Sequence, residues 1–353
     1  MAKIIDQIVK ISIQDAISSV TTVDVNTVAL VGKAEGKDAA EVSSLAGAKT
    51  AFGEDSELYQ MMNAFFAQDS HPSRVVGIPA GSDALAAVQA ASENFDFYHV
   101  VVATDDVQAL TLESIKAWHE WAADVKKMVH IQVPNVDAMA GTDSRADAGY
   151  DRVAVYVHKE KTTVGAKTVY EFLPVGIVAL RCASDSARGT FAHKKCKGVT
   201  PDSYSVEEYN KAIDSGLNIY VKVSGEARLF MGTTSSNEKF IDQIIKDDWI
   251  RFNVQSRIYK LLGEGNDGNG VNYDDAGIGA VAASVLNVLT VAQDTDHQYV
   301  MADSASVDYK PYSYLVENYA DDVRKRNLPL IKGRYARMNS IHTVVQVDLQ
   351  VTL

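Results

Sequence analysis

Two cysteines in 353 residues, Cys182 and Cys196, are too few for a disulfide framework, and a chain of this length does not need one. Positive charge is also scarce. Lys and Arg number 34 against 46 Asp and Glu, a net −12, which argues against phosphate-backbone binding as the main business. No run approaches the about 18–20 apolar residues of a membrane-spanning helix. The opening stretch MAKIIDQIVK carries Asp6 and Lys10 where a cleaved export signal would be uninterrupted apolar, so synthesis in the cytoplasm without such a signal is expected.

Catalytic signatures are missing as well. Gly32-Lys33-Ala34-Glu35-Gly36-Lys37-Asp38 follows a strand-like run, but a phosphate loop needs four residues between its glycines and a Ser or Thr after the lysine. Here there are three, and Asp38 would repel phosphate, so a turn is expected. Neither a G-x-S-x-G elbow nor an H-E-x-x-H pair occurs. His193-x-x-Cys196 with Cys182 upstream lacks the further ligands of a zinc site. Glu264, Asp267, Asp274 and Asp275 lie in a Gly- and Asn-rich stretch, 263–277, without calcium-loop spacing, and read as a solvated connection. No cofactor, metal site or enzymatic activity is expected.

What is present is pattern. At the C-terminal end, Ile341–Leu353, Val345, Val347, Leu349, Val351 and Leu353 alternate with Gln346, Asp348, Gln350 and Thr352, the period of a strand with one buried face. Near the N-terminus Ile5, Val9, Ile11 and Ile13 share one face, interrupted only by Gln7. Chain ends fray unless tied down, so two strand-like ends ask whose sheet they join. Between them, strand-like runs at 28–31, 74–80, 97–104, 128–135 and 152–159 alternate with helical spacing. The helix after Asp55 or Ser56 carries Leu58, Met61, Met62, Phe65 and Phe66, and Ser82 is the expected cap of the next, at 84–91. This rhythm predicts an α/β fold, a mixed sheet flanked by helices. Ser205 and Gly216 bracket a helix, Gly225 sits at a hairpin, and 237–262 is the longest helical pattern. Within that pattern Asp247 and Asp248 read as a solvated or ion-paired face. A further helix is expected over Tyr314–Asn327, its last turn carrying Arg324, Lys325 and Arg326.

From Gly232 onward the chain resembles the sheath proteins of contractile phage tails. The carrying residues are Phe240-Ile241-Asp242 followed by Asp248-Trp249-Ile250, then Asn272-Tyr273-Asp274-Asp275-Ala276-Gly277 before a helix, then Ser340-Ile341-His342 before the closing strand. In the middle motif Asn272 and Asp274 stand where the family has proline and threonine. The start also fits, with TVALVGKAEG, Phe52-Gly53 and AFFAQDSHPSRVVG; the likeness thins from about 141 to 236.

The resemblance implies a structural subunit that polymerises as stacked six-fold rings around an inner tube and contracts to drive that tube through an envelope. It implies strand arms at 1–20 and 339–353 that join neighbouring subunits' sheets. A body at 21–230, with 141–230 as a candidate subdomain, and a tube-facing domain at 231–338 complete the expected division. The expected partners are further copies of the chain, the tail tube, the baseplate and the tail terminator, with no direct nucleic-acid or membrane contact. Assembly in the bacterial cytoplasm into a virion or phage-tail-like particle follows. Lys239, Asp242, Lys246, Arg324, Lys325 and Arg326 are the tube-facing candidates. The alternative is an α/β enzyme or small-molecule binder with a site at the strand carboxyl ends, near Gly32–Gly36 or Gly81.

Overall fold

In a computed structural model the described residues are 24–81, 83–102, 112–139, 149–158, 161–164, 167–264 and 270–342. Both alternating terminal stretches, with Ile5, Val9, Ile11, Ile13, Val345, Val347, Leu349, Val351 and Leu353, lie outside them. So does Ser82.

The chain runs β1 (Val28–Gly32), β2 (Ala40–Val42), α1 (Leu45–Phe52), α2 (Glu57–Phe66), β3 (Val75–Pro79), α3 (Ala84–Ala91), β4 (His99–Val102), α4 (Leu112–Val125), β5 (Met128–Val133) and β6 (Val153–Val157). An excursion, β7 (Lys161–Val164) with β8 (Lys167–Tyr170), precedes α5 (Leu173–Cys182), α6 (Val206–Asp214), β9 (Asn218–Val223) and β10 (Glu226–Phe230). The C-terminal part has α7 (Ile241–Glu264), α8 (Asp275–Val291), β11 (Ser306–Asp308), α9 (Tyr312–Asn318), α10 (Ala320–Arg324) and β12 (Lys332–Arg334).

Eight strands form one mixed sheet in the order β10-β9-β6-β5-β4-β1-β3-β2. Its interior, β3 to β9, is parallel, and β2 and β10 close the two edges antiparallel. Every residue of β1 is buried, as a parallel strand covered on both faces requires. Val28 and Leu30 face a layer of α1, α2, α5 and α7, while Ala29 and Val31 face α3, α4 and α6. β1 lies between β3 and β4 in register Leu30 with Gly77 and with Val101, so strand order reverses at β1.

Local chemistry starts the helices. Ser56 Oγ accepts from the Tyr59 amide, 3.1 Å, and starts α2. Ser205 and Glu208 form a reciprocal capping box on α6. For α3 the cap is Asp83, whose Oδ1 accepts from Ala86 N at 2.9 Å; a carboxylate one residue nearer takes the role expected of Ser82. The expected single helix over Tyr314–Asn327 is two short ones, α9 and α10, broken at Tyr319 (φ −137°, ψ 38°). Leu315 alone is buried in that stretch, so no apolar stripe holds a continuous helix together.

Candidate assembly surface

From 308 to 341, Leu315 is the one fully buried residue; the rest is exposed or half-buried. Tyr309, Tyr312, Tyr314, Val316, Leu330, Met338 and Ile341 are large apolar or aromatic side chains left open there. Residues 306–342 carry seven Lys and Arg against four Asp and Glu, a net +3 in a chain of net −12. Tyrosine, methionine and arginine on one ordered segment are the composition of an interface core.

The segment's framework is a thin antiparallel ribbon. Asp308 pairs with Lys332 and Ser306 with Arg334 in β11–β12, and the pairing continues through Met301 N to Ala336 O, 2.8 Å, and Met338 N to Tyr299 O, 2.8 Å. The main sheet, in contrast, has blunted edges. β2 is only three residues long and carries Glu41, paired with Arg74 at 3.1 Å. At β10 the Leu229 amide and carbonyl bond the backbone of Lys194 and His193, at 2.9 and 2.8 Å. Among the described residues, two two-stranded units stand outside the main sheet, the β7–β8 excursion and this ribbon.

Of the tube-facing candidates, Arg324, Lys325 and Arg326 are exposed at the end of α10, and Lys239 is exposed with Nζ 2.6 Å from Asp151 Oδ2. Asp242 and Lys246 are a correction. Both are buried; Lys246 Nζ donates to Asp242 Oδ2 and to the Met338 carbonyl, each at 2.7 Å. Four residues apart on α7, the two meet on one helix face, and that face is covered by the chain's own C-terminal segment.

At the carboxyl end of β1, where an α/β protein would bind a ligand, the chain fills the space itself. The Lys33 amide donates to Glu57 Oε2 at 2.8 Å, so a carboxylate already sits where a phosphate would, and Met61 Sδ lies 2.7 Å from where a Cβ on Gly32 would stand. Asp83 fills the N-terminus of α3. Beyond β6, His158 is fully buried between two carboxylates, Nδ1 2.9 Å from Asp202 Oδ2 and Nε2 3.1 Å from Glu171 Oε2. Tyr204 OH donates to Asp202 and Thr200 Oγ1 to Glu171, at 3.1 and 2.9 Å. His158 precedes the β7–β8 excursion and Glu171 follows it, so the cluster staples the excursion's root.

A second buried chain runs from His99 Nδ1 to His130 Nε2, 2.9 Å, and from His130 Nδ1 to Tyr156 OH, 3.0 Å. Loss of solvent holds the His99 imidazole down near a pKa of about 3 and His130 well below its ordinary 6.5, with His99 adding to the effect. Burial pushes the Cys196 thiol up to about 12, with Glu171 contributing, and Cys182 upward too. Such thiols are not nucleophiles. No cluster of metal-ligating side chains occurs among the described residues, and no helix there is long and apolar enough to cross a membrane.

No family model matches the chain, and neither does any curated protein. Solved structures do. The helical sheath of the anti-feeding prophage in its contracted state superposes with a TM-score of 0.67 at 12% identity, covering 97% of this chain and 98% of that one. The fold is that of a contractile sheath protein. The baseplate structure of the same prophage, also contracted, gives a TM-score of 0.64 at 14% identity over 98% and 97% of the two chains. The sheath tail protein of Desulfitobacterium hafniense gives 0.53 at 8% identity over 85% and 93%. Identities this low carry the fold alone.

Some of the surface was hidden from sequence reasoning. The ribbon strands are three residues each, below the length at which alternation shows. Asp248 did leave a trace: it falls on the apolar face of α7 with Ile241, Ile245 and Phe252, where a charge needs a buried partner.

Proposed function

We propose that the chain is the sheath subunit of a contractile tail or phage-tail-like injection particle, a structural protein and not an enzyme. The end-to-end superposition on the anti-feeding prophage helical sheath carries this reading. In this proposal subunits stack as six-fold rings around an inner tube, linked to baseplate and tail terminator, and contract to drive the tube through an envelope. Assembly takes place in the bacterial cytoplasm.

The terminal stretches 1–20 and 339–353 serve as arms that add strands to neighbouring subunits. Main-chain hydrogen bonds give such a joint strength, and alternating side chains give it register. A two-stranded ribbon is marginal alone and gains from added strands, which suits β11–β12 as the acceptor. A head-to-tail joint of this kind propagates into an extended lattice. The blunted edges of the main sheet keep the body out of that exchange. Arg324, Lys325 and Arg326, with Lys239, face the tube.

Deleting Thr343–Leu353 tests the proposal. The truncated chain should remain folded and soluble by circular dichroism, and negative-stain electron microscopy should show no tubes where the full chain forms them. Sheath-like tubes from the truncated chain would refute strand donation by the C-terminal arm.

A further inference from the structure

The first turns of α7 hold two bodies at once. Ile241, Ile245, Asp248 and Phe252 lie on the face turned to the sheet. There the Asp248 carboxylate takes both Nη atoms of Arg152, at the start of β6, and the hydroxyl of Tyr98, beside β4, at 2.5 Å. Successive helix residues point about 100° apart. Asp247 therefore faces elsewhere, toward the segment that leads to the C-terminal arm. Tyr335 OH and Arg337 Nε each donate to Asp247 Oδ1 at 2.8 Å, and Arg337 Nη2 reaches Oδ2. The preceding residue, Lys246, holds the Met338 carbonyl, and one turn earlier Gln243 Nε2 donates to Asn339 Oδ1 at 3.2 Å. Just before the helix, Phe240 stacks edge-on against His342, centroids 4.4 Å apart.

We infer that these turns of α7 are a coupling bar that fixes the exit of the C-terminal segment and passes load from it into the parallel sheet. Asp247 and Lys246 take the load from residues 335–342, and Asp248 delivers it to Arg152 and Tyr98. Its purpose rests on the sheath reading, in which the chain after His342 carries tension between subunits. The chemistry suits the task. Apolar contact is non-directional and lets surfaces slide, whereas forked guanidinium–carboxylate pairs fix angle as well as distance. Without the bar, the exit would rest on His342, held by Thr190 Oγ1 at 2.7 Å and by His193 Nε2 at its carbonyl, and tension would pass back from there to β11–β12, whose three-residue strands peel one hydrogen bond at a time. Tyr335, Arg337, Asp247 and Asp248 are thus positioning residues.

Hydrogen exchange on the unassembled full-length chain tests the coupling directly. Arg337→Gln should speed exchange of the amides at 336–342 at least tenfold and leave β4 and β6 unchanged. Arg337→Lys, which keeps the charge and loses the fork, should fall between. Tyr335→Phe supplies a milder variant should Arg337→Gln misfold. Unchanged exchange at 336–342 in both Arg337→Gln and Tyr335→Phe, or a rise spread evenly over the whole chain, overturns the inference. Electron microscopy of assembled material tests its purpose: Arg337→Gln sheaths should reach wild-type length and then separate into rings on contraction. Variant sheaths that contract as intact as wild type overturn the load path. A wild-type chain that builds no sheath defeats the sheath reading instead, and the exchange result still decides the coupling.

Discussion

Asp248 stands where an apolar residue would be expected, and three donors converge on its carboxylate, the Tyr98 hydroxyl and both Nη atoms of Arg152. Removing one member of such a buried pair leaves an uncompensated charge, which typically costs about 3–5 kcal/mol, whereas replacing both by apolar groups of similar size is often close to neutral. Arg152→Met alone should therefore lower the unfolding free energy in urea by that amount, and Arg152→Met with Asp248→Leu should recover most of it. A double variant as unstable as the single one would mean that the pair stabilises the fold beyond mutual compensation. The His99–His130 chain makes a second prediction. Both imidazoles are held neutral below their unfolded value of 6.5, so between there and about 3, for His99, the unfolded chain binds more protons than the folded one. Stability from these groups is complete above pH 6.5 and is lost as pH falls, with a slope of about 1.4 kcal/mol per pH unit for each histidine. Denaturation midpoints between pH 7 and 5.5, above most carboxylate titration, should show this fall, to which His119 and His342, also lowered by burial, add, and His99→Gln should make it shallower.

At the scale of elements, the contact of α1 with the sheet depends on a glycine for its closeness. Gly77, in β3, lies under Phe52; an added Cβ would stand 2.3 Å from Phe52 Cζ and 2.8 Å from Met62 Cε. Gly77→Ala must push α1 outward, at the about 1–3 kcal/mol usual for overpacking. A fall in thermal midpoint, offset in part by Phe52→Leu, is the expected outcome. The same region shows what was legible in the sequence. β1, α2, α6 and the β9–β10 hairpin announce themselves, because each combines a clean periodicity with a cap or turn residue. β2 and α1 do not. α1 is built of Leu45, Ala46, Gly47, Ala48, Lys49, Thr50, Ala51 and Phe52, in which Ala48 and Phe52 are the fully buried members, too few to draw a stripe. The break at Tyr319 was illegible for a related reason, since helix-compatible residues run through it and only the lack of burial splits them. Asp242 and Lys246 stood among the tube-facing candidates, and their i,i+4 spacing is the same on either helix face; the cover over them comes from Met338, 92 residues from Lys246.

Over the whole molecule, charge is divided unevenly. The segment 306–342 is basic while the full chain is acidic, so copies of like net charge repel one another and this exposed strip departs from that balance. The proposed polymerisation through backbone pairing of arms and the proposed tube contact through Arg324, Lys325 and Arg326 are then separable in their response to salt. Backbone hydrogen bonds between strands are little screened, whereas exposed charges are screened within about 8–10 Å at physiological ionic strength. Reversing the strip, with Arg324→Glu, Lys325→Glu and Arg326→Glu together, touches residues on the exposed end of α10 and so should leave thermal stability nearly unchanged. Co-sedimentation with tubes should fall at least tenfold, while arm-linked sheath polymers still form. Raising salt toward 0.5 M should weaken tube binding by the wild-type chain in the same direction and leave the polymers intact, by about the exposed-charge screening expected there. If the triple variant binds tubes as well as wild type, the tube faces another side of the subunit. If it loses polymerisation together with tube binding, the strip belongs to a contact between copies, and the exposed Tyr309, Tyr312 and Tyr314 beside it become the next residues to alter.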